Sequence, residues 1–548
     1  MAPRVAVIGA GPLGLMALKN MKEDGLDVTL WNYSEDGSLS VAANTIFNSS
    51  KYRSAISDYP FPDETDDFPT WRQMWEYLEG YADHFQLRQN IQLNTRVVAF
   101  AREGDKWAVE LLTKDGGPRR EYFDKIAVAN GTFTAPKWPE IRGIEKFTGR
   151  TLHAINFHRP ESFKDQRVLI VGLHASAQDV ASGLVGHAAQ LYASHRNGVV
   201  LVRFRDILMH LWSGMKLMAH DLQLPRYDPK GAAFDTAMTL NFTRFVLFAT
   251  TWFPSILNWL MDKVMVATSK TAFPNVLKSW NFFPAPSIAT TAPLIGDEIY
   301  PLLESGFCEP VSAVSKITGA KTIELKDGRV LKDIDAIIYT TGYNFAAPFV
   351  DQEHNPYPIP GKPPYLYRGT FPLHEDPKVR NSLAFFGHGA IFFPGFVQHE
   401  LIIMATSQIW SGRSSLPPLS DMKTWYHGFL DWRQNLLDRQ KSEATFYTLN
   451  QPMTDHLQWF EDAAGTGVFS HFGWLSLKAW SFWWNDRKLY HLCANGIFSP
   501  SIWRLFETGK RRAWPKAREQ IFLDNKAAQA QVRTRLERMR LEGNKKTL

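Results

Sequence analysis

The chain has 548 residues, which at roughly 150 residues per domain allows about three or four domain-sized units and several hydrophobic cores. Hydrophobic residues make up 45% and charged residues 21%, an ordinary globular balance that excludes a disordered or fibrous chain. The net charge of +6 is too diffuse to argue for nucleic acid and suits anionic cofactors or an anionic membrane surface, while two distant cysteines, Cys308 and Cys493, exclude a disulfide scaffold, dithiol redox chemistry and a structural zinc cluster.

Val5–Ile8 reads as a strand from the start of the chain, so no signal peptide is expected before the fold. The strand leads into Gly9-Ala10-Gly11-Pro12-Leu13-Gly14, a helix to Glu23, a break at Gly25 and a second strand over Val28–Trp31. Gly9 permits the tight turn, Gly11 lets the backbone approach a pyrophosphate, and Gly14 allows close helix–strand packing. The helix N-terminus then faces the diphosphate. Pro12 and Leu13, inside this turn, are counted with the cofactor-binding residues. The position for an acidic ribose partner holds Asn32, an uncharged acceptor, with Glu35 and Asp36 just beyond. A helix is predicted over 72–86 and strands over 91–100 and 106–112; Val97, in the first of these, is a further candidate cofactor contact.

Ile126–Ala129 reads as a buried strand, and the pattern then restarts. Val168–Val171 leads into Gly172-Leu173-His174-Ala175-Ser176-Ala177, a helix and a strand at Leu191–Ala193, which makes an internal repeat and points to parallel sheets. Gly172, Ser176 and Ala177 are candidate coenzyme contacts, but His174 replaces the middle glycine and should hinder close backbone approach. Ser194 and Arg196, at the end of the following strand, suit a 2′-phosphate, which Arg can meet with two donors. Residues 200–295 are apolar, aromatic and irregular, and read as an insertion. Within them 237–266 fits either a buried insertion near a substrate entrance or a face lying on a membrane; Arg244, Pro254 and Asn258 break any single span. A hairpin is expected around Asp327-Gly328, and Ala336–Tyr339 is a strand running into Thr340-Thr341-Gly342-Tyr343. The Trp-rich stretch Trp474, Trp480, Trp483, Trp484 reads as core, and the basic tail from Lys510 to Lys546 as a solvated helix. No metal ligand set is expected: there is no HExxH and no paired-His spacing, nor is there a GxSxG.

The run Phe147-Thr148-Gly149-Arg150-Thr151-Leu152-His153-Ala154-Ile155-Asn156-Phe157 resembles the fingerprint FxGxxxHxxx[Y/F] of the class B flavin-containing monooxygenases, and lies just before the second glycine turn as it does there. Asn48-Ser49-Ser50-Lys51, Ser57-Asp58-Tyr59-Pro60, Tyr339–Tyr343, Phe386-Gly387-His388, His399-Glu400-Leu401, Ser499-Pro500 and Trp514–Arg518 resemble further family segments in order, from Val5 to about residue 522. Three departures mark a divergent member, of the kind used in specialised metabolism: the family has Glu at position 32, a GGxW-like run near 37–41 and Gly at 174.

The resemblance implies an α/β fold with two Rossmann-like dinucleotide-binding domains. An FAD domain (1–157 and 336–415) would carry an inserted NADPH domain (158–335, including the apolar insertion at about 200–295), followed by a C-terminal helical extension (416–548). It implies that NADPH reduces FAD, and that a flavin C4a-hydroperoxide passes one oxygen atom from O2 to the nitrogen, sulfur or carbon of a small organic substrate. Asn48 matches the family asparagine near that oxygen; read from the residues alone it is a turn or cap. Thr341 and Gly342 match the motif that returns the chain to the flavin domain, and His153 is read as a structural link. Baeyer–Villiger oxygenation ranks second, because that subgroup's fingerprint ends in Trp where this chain has Phe157. A flavin-binding protein or NADPH oxidase without oxygen transfer ranks third, on Asn32 and His174. A cytoplasmic location, or one peripheral to an intracellular membrane, is expected.

Overall fold

The computed structural model describes residues 2–33, 45–114, 116–133, 135–196, 198–199, 201–202, 232–287, 291, 294–296, 298–359, 362–388, 395–440, 453–473 and 476–545. Glu35, Asp36, the run 37–41, most of 200–231 and Trp474 lie outside them, so the expectations placed on those residues stay with the sequence.

Two parallel sheets dominate. The first holds β1 (Arg4–Ile8), β2 (Asp27–Trp31), β3 (Ile91–Gln92) and β4 (Lys125–Val128), with α1 (Pro12–Glu23) between β1 and β2. Val5–Ile8 is buried at every residue. That is why it reads as a continuous apolar run: a parallel strand covered on both faces has no polar side to show. The second sheet holds β5 (Arg150–His153), β6 (Arg167–Val171), β7 (Gln190–His195), β8 (Cys308–Ser312) and β9 (Ala336–Tyr339), with α2 (Ala175–Gly183) after β6. The chain then returns to the first sheet with β10 (Leu383–Phe385).

The orders are β3-β2-β1-β4-β10 and β8-β7-β6-β9-β5, parallel throughout. Position for position the two sheets correspond, so the repeat expected from the sequence is present. Each also carries a three-stranded antiparallel meander, at 95–123 between β3 and β4 and at 314–331 between β8 and β9, the second holding the hairpin expected around Asp327-Gly328. In both, the order reverses beside the strand that precedes the glycine turn, and such switch points open a crevice at the carboxyl ends of the strands.

The chain crosses between the sheets along an antiparallel pair, Ala135–Pro136 with Tyr343–Asn344. Both β5 and β9 belong to the second sheet, which moves the crossings from the expected 157/158 and 335/336. The fingerprint strand pairs with β9 because Arg150–His153 runs in register with Ala336–Tyr339. His153 is fully buried, and its Nε2 lies 3.0 Å from the Gly342 carbonyl, so it ties the two crossings as a structural link.

Three further regions matter for function. Helices α3 (Leu240–Trp252) and α4 (Pro254–Ala272) form an elbow at Phe253. Helix α5 (Gly395–Trp410) is buried from Val397 to Trp410 and packs along α1. Beyond it lie α6 (Leu477–Asn485), α7 (Arg487–Asn495) and the long polar α8 (Ala517–Lys545). The reading of the Trp-rich stretch as core is overturned for Trp480 and Trp484, which are 61% and 78% exposed. Only Ala479 of α6 is buried, so the helix packs through one narrow stripe and turns both indoles outward.

Buried charges fasten α1 to the C-terminal part. Arg504 donates to Glu23 at 2.6 Å and to Asp58 at 2.7 Å, and Asp58 also pairs with Lys19. Arg511 reaches Asp24 at 3.1 Å, Asn20 at 3.3 Å and the Met404 carbonyl at 3.3 Å. Removing one member of such a buried set typically costs about 3–5 kcal/mol, because the partner charge is left unpaired.

Candidate cofactor and oxygenation site

The first turn runs from the end of β1 into α1. Gly9 has φ 108°, and a Cβ there would overlap the Ala129 carbonyl at the end of β4. Gly14 admits no Cβ either, since it would overlap the Gly9 carbonyl oxygen. Gly11 differs: its φ is −73°, and a Cβ would meet nothing within 4 Å. Nothing among the described residues requires glycine there, and open space in front of a helix N-terminus is what a diphosphate needs. The first turn of α1 has no side-chain cap and no acidic residue. Pro12, at its start, has no N–H to donate, and Leu13 follows. Asn32, at the end of β2, accepts the Ala10 N–H at 3.3 Å through Oδ1, which sets it against the glycine turn. Val97 is buried in the adjoining meander, in register with Leu111.

The second turn repeats the geometry at its first position. Gly172 has φ 119°, and a Cβ would lie 2.6 Å from the Thr340 carbonyl oxygen after β9. His174 caps α2 with φ −145°, an extended backbone that any residue adopts. Ala177 is fully buried and Ser176 half-buried. Above the carboxyl ends of this sheet lies a cleft of about 740 Å³, lined among others by Gly172, His174, Ser194, Arg196, Lys326 and Thr341. Arg196 is exposed at its rim. Ser194 is buried and its hydroxyl donates to the Ser312 carbonyl at 3.0 Å, so the cation, more than the hydroxyl, faces the cleft. Sequence reasoning missed Lys326, which arrives from the hairpin of the second meander; its only signal was the adjacent Asp327-Gly328. Thr341 donates through its hydroxyl to the Lys137 carbonyl, and the Gly342 carbonyl also accepts the Lys137 N–H at 2.9 Å.

Asn48 is exposed, two residues from the Ile46–Thr70 bridge. Its neighbour Phe47 places its ring 6.0 Å from that of Phe396, in the first turn of α5. His388, missed as a site residue, follows Gly387, whose Cβ position would lie 3.5 Å from Leu13 Cδ1 of the first turn. It is buried, its Nε2 lies 2.7 Å from the Tyr357 hydroxyl, and Nδ1 has no partner among the described residues. Burial, with the neighbouring His399, pushes its pKa down to about 3, so the ring stays neutral. Both cysteines are buried, with thiols pushed up to about 12 by desolvation, so neither supplies a thiolate. Among the described residues one group, Glu353, His354 and His374, brings ligand-type atoms within 4.8 Å of one another. His374 Nδ1 accepts the Asp376 N–H at 3.0 Å, so in the neutral ring Nε2 carries the proton and offers no lone pair.

The arrangement suits binding, orientation and exclusion of water for two dinucleotides, with little protein acid–base chemistry. Comparison with known proteins agrees. A family model for flavin-binding monooxygenase-like proteins matches residues 2–211 and 223–542. Monooxygenase aurF of Gibberella zeae is 30% identical over 548 residues, covering 95% of this chain and 97% of that protein. Among solved structures, an S-allyl-L-cysteine S-oxygenase from Allium sativum matches with a TM-score of 0.57 at 20% identity, over 85% of this chain and 89% of that one. OTEMO in complex with FAD and NADP matches with a TM-score of 0.60 at 17% identity, over 85% and 98%. At these identities the structural likeness bears on the fold alone. The family match spans nearly the whole chain, and the chain belongs to the flavin-binding monooxygenase-like family: it is a flavin-dependent monooxygenase.

Proposed function

With FAD and NADPH as the cofactors of this family, we propose that the first sheet holds FAD and the second NADPH, and that the enzyme transfers one oxygen atom from O2 to the nitrogen, sulfur or carbon of a small organic substrate. The carrying observation is the open space at Gly11, in a turn whose other two glycines, Gly9 and Gly14, leave no room for a side chain. Gly9, Gly11, Pro12, Leu13 and Gly14 would hold the diphosphate of FAD, Asn32 its ribose and Val97 the adenine side. Gly172, Ser176 and Ala177 would seat the NADPH diphosphate, and Arg196, with Ser194 beside it and Lys326 facing it, the 2′-phosphate. Thr341 and Gly342, at the crossing, would meet the coenzyme between the two sheets.

Bound FAD, reduced by NADPH, supplies the electrons that activate O2. The chain's own residues position and shield. The amide of Asn48 donates a hydrogen bond without offering an acidic proton. His388, held neutral, keeps a positive charge away from the flavin side of the first turn. The test is Asn48→Leu, close in volume but unable to donate. Flavin reduction by NADPH is expected to stay near normal in stopped flow. Substrate-free release of hydrogen peroxide should accelerate by about tenfold, since a lost charge-assisted hydrogen bond is worth about 1.5–3 kcal/mol. Unchanged peroxide release would leave Asn48 a turn residue.

The elbow of α3 and α4 would rest on a membrane surface. Trp252 and Trp259 are 68% and 61% exposed, with Phe253 and Ile256 exposed between them. Among the described residues no helix is long and apolar enough to cross a membrane, so the contact is peripheral.

A further inference from the structure

We propose that α6 and α7 form a second lipid-contacting surface, continuous with the α3–α4 elbow, and that together they make one aromatic and basic platform for an anionic bilayer; this rests on the membrane reading of the elbow. Three helices each turn large apolar side chains outward along one face. On α3 these are Phe245, Phe248 and Trp252; on α4, Ile256, Trp259 and Leu260; on α6, Leu477, Trp480 and Trp484. Positions i, i+3 or i+4, and i+7 share one face of a helix, so each set is a stripe and not a scatter of single residues. Soluble surfaces seldom carry such contiguous patches without a partner.

Helix α7 joins the stripes. It packs against α6 on one side and α3 on the other, where Asn241 of α3 donates to Asn495 at 2.9 Å. Its exposed residues are Arg487, Lys488, His491 and Asn495, and Arg487 lies over the Trp483 ring of α6 at 4.0 Å. Lys263 continues the stripe of α4, and Lys478 is exposed on α6 outside its stripe. The acids nearby are already engaged: Asp486 pairs with Arg518 at 3.0 Å, and Asp262 accepts the Ser287 hydroxyl at 2.9 Å. The face therefore offers tryptophans bordered by cations.

That composition selects the occupant. A second copy in a two-fold dimer would set the same patch against itself. The cations of both copies, Arg487 and Lys488 among them, would then be desolvated together, while the nearby Asp486 is already paired with Arg518. A bilayer with anionic headgroups answers both features, because indoles settle at the headgroup level and each basic residue near the surface gains about 1 kcal/mol.

The test uses the full-length enzyme with its flavin bound, sedimented with vesicles of phosphatidylcholine alone or of equal parts phosphatidylcholine and phosphatidylserine. Wild type should bind the mixed vesicles more tightly. Trp480→Ser with Trp484→Ser should weaken that binding by about tenfold or more, and Trp252→Ser with Trp259→Ser should do the same independently. Arg487→Glu with Lys488→Glu should remove the preference for phosphatidylserine. Retained flavin absorbance and circular dichroism report folding. Brominated lipid should quench wild-type tryptophan fluorescence more than that of a Trp480→Phe, Trp484→Phe variant, which needs no loss of binding. If the α6 variants bind and quench like wild type while the elbow variants lose binding, the elbow reading stands and this inference falls. If wild type binds neither vesicle, both fall. A dimer abolished by the α6 variants, without vesicle binding, also overturns it.

Discussion

The two glycine turns have the same place in matching sheets, yet they spend their three positions differently. At the first position both turns need glycine for one reason: φ is 108° and 119°, and the neighbouring strand end leaves no room. At the third they part. Gly14 cannot carry a Cβ, whereas the second turn accommodates Ala177 fully buried. At the middle position neither backbone demands glycine, since φ is −73° at Gly11 and −145° at His174. The first position answers to the backbone and the third to packing, and the middle is left to answer to the ligand. In the proposed assignment FAD would be held against bare backbone, and the coenzyme against an imidazole.

Gly11→Val breaks that comparison most severely. The fold should survive, because a Cβ there meets no atom of the described residues, while flavin should be lost from the purified protein. Circular dichroism and flavin absorbance, read together, separate the two effects. Gly14→Ala should instead damage folding itself. A Gly11→Val protein that keeps stoichiometric flavin would remove the assignment of the first turn.

A smaller effect is expected at the rim of the second cleft. Arg196→Ala should raise the Michaelis constant for NADPH about tenfold to a hundredfold, and leave that for NADH nearly unchanged. Lys326→Ala should act in the same direction if both cations meet the 2′-phosphate. Equal losses with both coenzymes would assign Arg196 to something other than that phosphate.

The parts of this enzyme that were legible in the sequence are those set by local backbone and short-range pattern. Val5–Ile8 and Val168–Val171 announced themselves as strands by their apolar runs, and Gly9 and Gly172 as turns between strand and helix. What was not legible depends on distant partners. The crossings were misplaced because nothing within Arg150–His153 reveals that it pairs with Ala336–Tyr339. Lys326 was missed because a hairpin more than a hundred residues from Arg196 brings it to the same cleft. The indoles of Trp480 and Trp484 were assigned to the core because hydrophobicity alone does not say which face of a helix packs. The clamp of Arg504 and Arg511 on α1 joins residues from opposite ends of the chain, and no spacing rule reaches that far.

At the middle position of the second turn, His174→Gly should tighten NADP⁺ by a few-fold, roughly 1 kcal/mol, if the imidazole stands between backbone and pyrophosphate. Isothermal titration of the oxidised coenzyme reads this directly. Weaker binding would make His174 a positive contact, and the second turn would then be rebuilt around a side chain and not degraded.

The last of these effects concerns the helices behind the turns. Helix α1 is fastened by buried charge, and Glu400 of α5 lies within that network. Its carboxylate accepts the Ser57 N–H at 2.9 Å and the Ser57 hydroxyl at 2.8 Å. Burial, and then the charge of Asp58, raise its pKa above the usual carboxylate value of 4.5, while Lys19 and Arg504 hold that of Asp58 below its own. On α2 the comparable group is the half-buried Asp179, whose pKa burial, with Glu298, raises to about 6. A raised carboxyl contributes stability that is complete below the unfolded pKa and is lost as pH rises through the folded one. Asp58 is depressed, so its contribution is present above about 3.8 and does not change near neutrality. Glu400→Gln removes one of the rising terms and keeps an acceptor for the Ser57 N–H. Its stability relative to wild type should therefore improve as pH rises from about 4.5 to about 7 and level off above that. Asp179 titrates in both proteins and cancels in the difference. Thermal unfolding of the two proteins at several pH values measures that difference. A difference that stays constant with pH would show that Glu400 is already ionised in the folded enzyme, and that α1 is held by full charges throughout.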